Sequence, residues 1–134
     1  MLSVSKILLS LSFTLAALGM RQPSVERSGT VFIFEPDLGA CGFTNTSDQA
    51  VGTVSSTVYK SYPGATANPN KNPICHHTMV VQVPNGQTVS VQIVDFFPEN
   101  GDAGPNDVGV TKMDFVKMAP LDDGIIPNAT WSIL

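Results

Sequence analysis

Two cysteines, two adjacent histidines and a strand-end acid hold most of the chemistry open to this chain. Cys41 and Cys75 are the only thiols, and His76 and His77 directly follow the second. Thiolates and imidazoles can bind zinc, but two thiols and two neighbouring imidazoles match no standard zinc spacing. If the chain is exported to an oxidising compartment, the expectation is one disulfide, with zinc as the alternative and no other metal or cofactor site. An imidazole titrates near neutral pH, and adjacent residues of a strand face opposite sides, so one histidine is expected solvated and one packed. Asp95 ends an alternating apolar run just before a loop. A carboxylate there can face a groove, or it can accept hydrogen bonds from nearby turn amides. Tyr59 and Tyr62 border a long loop and are expected to be exposed. Phe32, Phe34, Phe43 and Trp131 suit either a sugar-stacking platform or a core, and for most of them the core is expected. Asp122-Asp123-Gly124 reads as a turn rather than a calcium loop.

Export is itself written into the sequence. Lys6 precedes an apolar run over residues 7–18, and Ala17 and Gly19 occupy the −3 and −1 places for cleavage after Gly19. That is the layout of a secretory signal over residues 1–19, followed by a polar leader over 20–27. Export makes two sequons, Asn45-Thr46-Ser47 and Asn128-Ala129-Thr130, available for N-glycosylation. The chain has 134 residues, of which 43% are hydrophobic and 13% charged, with a net charge of −4. This length suits a single domain with a real core. An acidic balance without a basic run excludes a nucleic-acid backbone as partner. The mature chain carries no apolar stretch long enough to span a membrane, and it is expected to be an extracellular monomer.

The elements around these residues are short. Residues 30–34 and 50–55 are strand candidates, 57–62 is a short helical turn, and 61–73 is a loop rich in Pro and Asn. Residues 78–83 and 88–94 flank Pro84-Asn85-Gly86, where Asn-Gly supplies the positive φ angles of a hairpin turn. Residues 97–106 form a second loop. Residues 111–119 read as a helix with Thr111 as cap, Asp114 near its positive end, and Phe115 and Met118 on one face. A last strand over 129–134 carries Trp131. Short strands with one small helix suggest a compact β-barrel.

Three stretches go further. The first is Gly29-Thr30 with Phe34-Glu35-Pro36 and Gly39-Ala40-Cys41-Gly42-Phe43. The second runs from Ser61-Tyr62-Pro63-Gly64 to Asn72-Pro73-Ile74-Cys75, and the third covers residues 89–95, Asn106-Asp107-Val108-Gly109-Val110-Thr111, Phe115 and Trp131. Together they resemble the secreted fungal branch of the rare lipoprotein A-like double-psi β-barrels, relatives of expansins, barwin and small barrel endoglucanases. The resemblance covers residues 28–134. It implies an all-β, six-stranded double-psi barrel with one or two short helices, and a Cys41–Cys75 pairing.

Enzymes of that family cut polysaccharides, and glycosidic cleavage takes two carboxyls. Asp95 matches one family acid. Where relatives carry the proton donor this chain has Gly109, and Asp107 lies two residues away, on the same side of an extended strand. The histidine of bacterial lytic relatives is missing, since the matching stretch reads Val54-Ser55-Ser56. Phe97 and Asn100 replace a family cysteine pair, so that loop loses a staple. The resemblance with a missing acid implies a secreted, non-catalytic module that binds or loosens cell-wall polysaccharide through a groove with Asp95, Asp107, Tyr59 and Tyr62. The runner-up is a module that binds an extracellular protein, as a protease inhibitor or effector. An enzyme using Asp95 and Asp107 as an atypical acid pair comes third.

Overall fold

A computed structural model describes residues 24–134, so the expected signal 1–19 and the start of the leader lie outside the described residues. The leader ends earlier than its polarity suggests. Arg27 already opens β1, Arg27–Ile33, where its guanidinium stands 5.7 Å from the Trp131 ring centre and donates to Asn106. The other strands are β2, Val51–Ser55, β3, Thr78–Gln82, β4, Thr88–Phe97, β5, Val108–Val110, and β6, Ile125–Ile133. Helix α1 spans Ser56–Ser61 and α2 spans Lys112–Phe115.

The strands close into a barrel in the order β1-β5-β2-β4-β3-β6. The pairs β1–β5 and β2–β4 are parallel; the pairs β1–β6, β2–β5, β3–β4 and β3–β6 are antiparallel. This is the mostly β, six-stranded barrel with two short helices that the sequence led us to expect. Its core is lined by Val31, Val54, Val81, Val91, Ile93, Val108 and Val110, with Trp131, Met79 and Phe115 among the larger side chains. Each such side chain contributes roughly 1.5–3 kcal/mol by leaving water.

Three local details differ from the sequence reading. In the hairpin only Gly86 has positive φ. The Asn85 carboxamide oxygen instead accepts from the Gln87 amide, while Gly86 N–H bonds Val83 and Val83 N–H bonds Gln87. Helix α2 stops after one turn rather than continuing to residue 119. Thr111 does not cap it with its side chain, because that hydroxyl donates to the Gln49 carbonyl at 2.6 Å. The last strand begins four residues before its expected start, because Pro127 and Asn128 form a bulge. Gly29 pairs with Ala129 and Val31 with Ile126, leaving Pro127 and Asn128 opposite Thr30. A proline survives in a central strand only where no ladder bond is asked of it.

Phe115 is fully buried among the core residues. Replacing it with Ala should destabilise the fold by about 3–5 kcal/mol, measured as a fall in denaturant midpoint at unchanged slope. An unchanged midpoint would contradict its place in the core.

Candidate functional site

The two positions that the resemblance assigns to acids lie on one ladder row. Asp95 on β4 pairs with Thr53 on β2, Thr53 pairs with Gly109 on β5, and Gly109 pairs with Phe32 on β1. The second acid position is therefore two strands from Asp95, with Thr53 between. It is also closed. A Cβ on Gly109 would lie 2.7 Å from the Phe32 ring, 2.7 Å from the Thr53 methyl and 2.9 Å from the Phe34 Cβ. Phe32 in turn meets Phe97 edge to face, with ring centres 5.0 Å apart. Thr53 is buried with its hydroxyl unpartnered. The row thus combines one carboxylate with a hydroxyl, a glycine and phenylalanine rings.

Asp95 is committed to the backbone. Its Oδ1 accepts from Ala40 N at 2.9 Å and from its own neighbour Phe96 N at 2.8 Å. This seats a turn over residues 36–44 against the end of β4. Gly39 lies so close that a Cβ there would meet the Val94 carbonyl at 2.5 Å, and Cys41 N–H donates to the same oxygen. Beneath the turn Cys41 and Cys75 are bonded to each other, which removes both thiols from any zinc site. Among the described residues no group of three or more His, Cys, Asp and Glu side chains could hold a metal ion. Tyr59 packs under this staple and is only 2% exposed, against the expectation of an exposed ring. Helix α1 delivers it there: the Ser55 hydroxyl caps the helix by accepting from Val58 N. The Tyr59 hydroxyl donates to the Pro69 carbonyl at 2.7 Å, and burial, then the Asp95 charge, push its pKa up. Tyr62 is half-buried beside His77.

Asp107 spends both carboxylate oxygens on backbone amides. It precedes β5, and its two oxygens accept from Thr30 N at 2.8 Å and Gly104 N at 2.7 Å. The first of these amides is the one stranded opposite the bulge of β6. The loop over residues 98–107 is therefore tied despite its missing cysteines. Ser55 donates to the Pro105 carbonyl at 2.7 Å, and Glu99 accepts from Thr57 N at 2.8 Å. Hydrogen bonds from Thr57, through side chain and backbone, hold the Glu99 carboxyl below the usual carboxylate range.

The remaining candidates scatter. His76 lies in a turn at φ 70° rather than in a strand and meets Phe43 edge to face. His77 donates from Nδ1 to the Leu134 carbonyl at 2.7 Å. Trp131 is core, with its indole N–H on the Asn106 carbonyl, whereas Phe32 and Phe34 are half-buried and Phe43 is exposed. Asp122 and Asp123 belong to a single 3-10 turn, Leu121–Asp123. Asn128 is exposed at the bulge with φ 60°, while the Asn45 amide is tied to Gln49. Sequence reasoning missed Leu38, which is 70% exposed on the 36–44 turn, and a cavity of about 460 Å³ lined by Tyr59, Lys60, Thr66, Pro69 and Phe96. The glycines either side of Ala40-Cys41 were the available signal for a tight turn.

Barrel closure and two parallel pairs place the chain among the double-psi β-barrels. The structure of a Streptomyces papain inhibitor superimposes with a TM-score of 0.71 at 25% identity, covering 82% of this chain and 94% of that one. A Clavibacter michiganensis expansin in complex with cellohexaose matches with a TM-score of 0.59 at 18% identity, covering 82% of this chain and 50% of that one. The fungal elicitor cerato-platanin matches with a TM-score of 0.51 at 17% identity, covering 78% and 91%; these last two likenesses concern the fold alone. In sequence the chain is 32% identical over 69 residues to a papain inhibitor of Streptomyces mobaraensis, covering 52% of this chain and 46% of that protein. The chain thus spans about half the length of the curated relative it matches. No protein-family model matches it.

Two predictions follow from the row and the tether. Gly109→Asp should cost about 3 kcal/mol or more, since it overpacks the rings and places a charge among them. Gly109→Ala should keep the steric part of that loss; a variant as heat-stable as wild type would show that the rings give way freely. The Glu99 tether has a depressed pKa, so its stabilisation is complete above the unfolded carboxylate pKa and is lost as pH falls through the folded value. The hydrogen-exchange protection factor of the Thr57 amide should therefore drop only in acid below the usual carboxylate range. In Glu99→Ala, which leaves no acceptor for Thr57 N–H, the factor should already be low at neutral pH; a pH-independent value in wild type would remove the tether.

Proposed function

We propose that the chain is an exported barrel of the rare lipoprotein A-like kind that binds protein, as an inhibitor of papain-like cysteine proteases. The observation that carries this reading is the match to a papain inhibitor over nearly the whole of that structure, joined by 32% identity over 69 residues to a papain inhibitor. The site chemistry supports a binding role. Gly109 has no room for an acid, and Asp107 spends both oxygens on backbone amides, so the Asp95–Asp107 pair is poorly equipped to protonate a leaving group. The disulfide suits export, and among the described residues no helix is long and apolar enough to cross a membrane.

A second reading, polysaccharide binding or loosening without cutting, draws on the cavity of about 460 Å³ lined by Tyr59, Lys60 and Phe96, whose aromatic ring and lysine offer contacts to a sugar face. One set of measurements separates the two. Purified oxidised protein should slow papain hydrolysis of a fluorogenic peptide, with inhibition saturating near one molecule per enzyme. It should not be retained on cellulose, chitin or peptidoglycan, and should release no reducing sugar above a heat-killed control. Full papain activity together with glycan retention, weakened in Asp95→Ala, would replace the first reading by the second.

A further inference from the structure

The 36–44 turn is the most exposed apolar projection that is also held rigid. Leu38 is 70% exposed and Phe43 53% exposed. They stand on facing arms, since Leu38 pairs with Thr44 across an antiparallel bridge and Gly39 N–H bonds the Phe43 carbonyl. A free apolar loop would collapse or flex; this one is stapled at Cys41 and seated on β4 through Asp95. Every amide at its tip is already used. Gly39 N donates to Phe43, Ala40 N to Asp95, Cys41 N to Val94 and Gly42 N to Gly39. Exposed Glu35 and Asp37 lie on the arm that leads to Leu38.

Resting on the inhibitor reading, we infer that this turn is the wedge that enters the substrate cleft of a papain-like protease. Leu38 and Phe43 fill apolar side-chain pockets of the cleft. Proteases cut extended segments whose backbone pairs with the cleft. A turn whose four tip amides are bonded internally cannot offer that pairing, so it blocks the cleft and stays intact. Ordering is complete before binding, and little conformational entropy is lost on association. Asp95 is a positioning residue: it holds the Ala40 amide and touches no partner.

The test uses oxidised full-barrel protein with papain. The double variant Leu38→Ala, Phe43→Ala trims two mostly exposed side chains and gives up only the edge contact of Phe43 with His76, so it should melt close to wild type. It should raise the inhibition constant roughly tenfold or more. Val116→Ala and Ile125→Ala, which trim apolar side chains outside the turn, should leave it unchanged. Asp95→Ala should turn lasting inhibition into temporary inhibition, with cleavage between residues 38 and 43 seen by mass spectrometry, and Asp95→Asn should restore resistance by keeping an acceptor for Ala40. If wild type and the double variant inhibit equally, the turn is not the wedge and the inhibitor reading survives. If wild type does not inhibit papain, both fall together.

Discussion

The Ala40 amide has no strand to join, and the Asp95 carboxylate, two residues before the end of β4, takes it. Around that one bond the rest of the upper structure is arranged. It brings Cys41 to the Val94 carbonyl and into reach of Cys75, and it needs a glycine at 39 to let the backbone pass. The staple then roofs Tyr59, whose hydroxyl reaches Pro69, while Asn72 fixes the far side of the same loop by donating to the Tyr59 carbonyl and accepting from Ile74 N. A carboxylate accepting two amides is a strong local anchor, because charge-assisted hydrogen bonds outweigh neutral ones.

Beside that anchor the row Asp95–Thr53–Gly109–Phe32 sets one carboxylate next to a buried hydroxyl, a glycine and a phenylalanine ring. Hydrolysis asks for two carboxyls facing one bond. Here one carboxyl holds a turn, and the other position is a glycine lying under aromatic rings. One of the phenylalanines that close it, Phe32, also holds Phe97 at the end of β4 by an edge-to-face contact.

Much of the barrel was legible because its signals are local. The β3–β4 hairpin announces itself by Asn85-Gly86 and by the alternation of Val89, Val91 and Ile93. The cysteine pairing followed from export and from the resemblance. Strand β5 escaped periodicity because three residues buried on both faces leave no alternation to read. The start of β6 was hidden by Pro127, which looks like a breaker until the bulge opposite Thr30 is seen. Helix 111–119 was over-read because the Thr111 hydroxyl had a distant competitor, the Gln49 carbonyl. At the site, Asp95 could be picked out from the sequence, although β4 runs on past it to Phe97, but its partner is 55 positions away in sequence. The burial of Tyr59 depends in the same way on a disulfide and a loop that only the fold brings above it.

The strand order has a consequence for how the chain must fold. β1 pairs only with β5 and β6, and β6 also closes on β3. Strand β1 therefore keeps one edge open until β5 is in place and the other until β6 is. Such long-range closure slows folding and leaves sticky edges exposed in the interim. Shortening β6 would reopen two edges at once, on β1 and on β3, at opposite ends of the strand order. The native barrel hides its backbone from other chains, and its half-finished form is an invitation to pair with them.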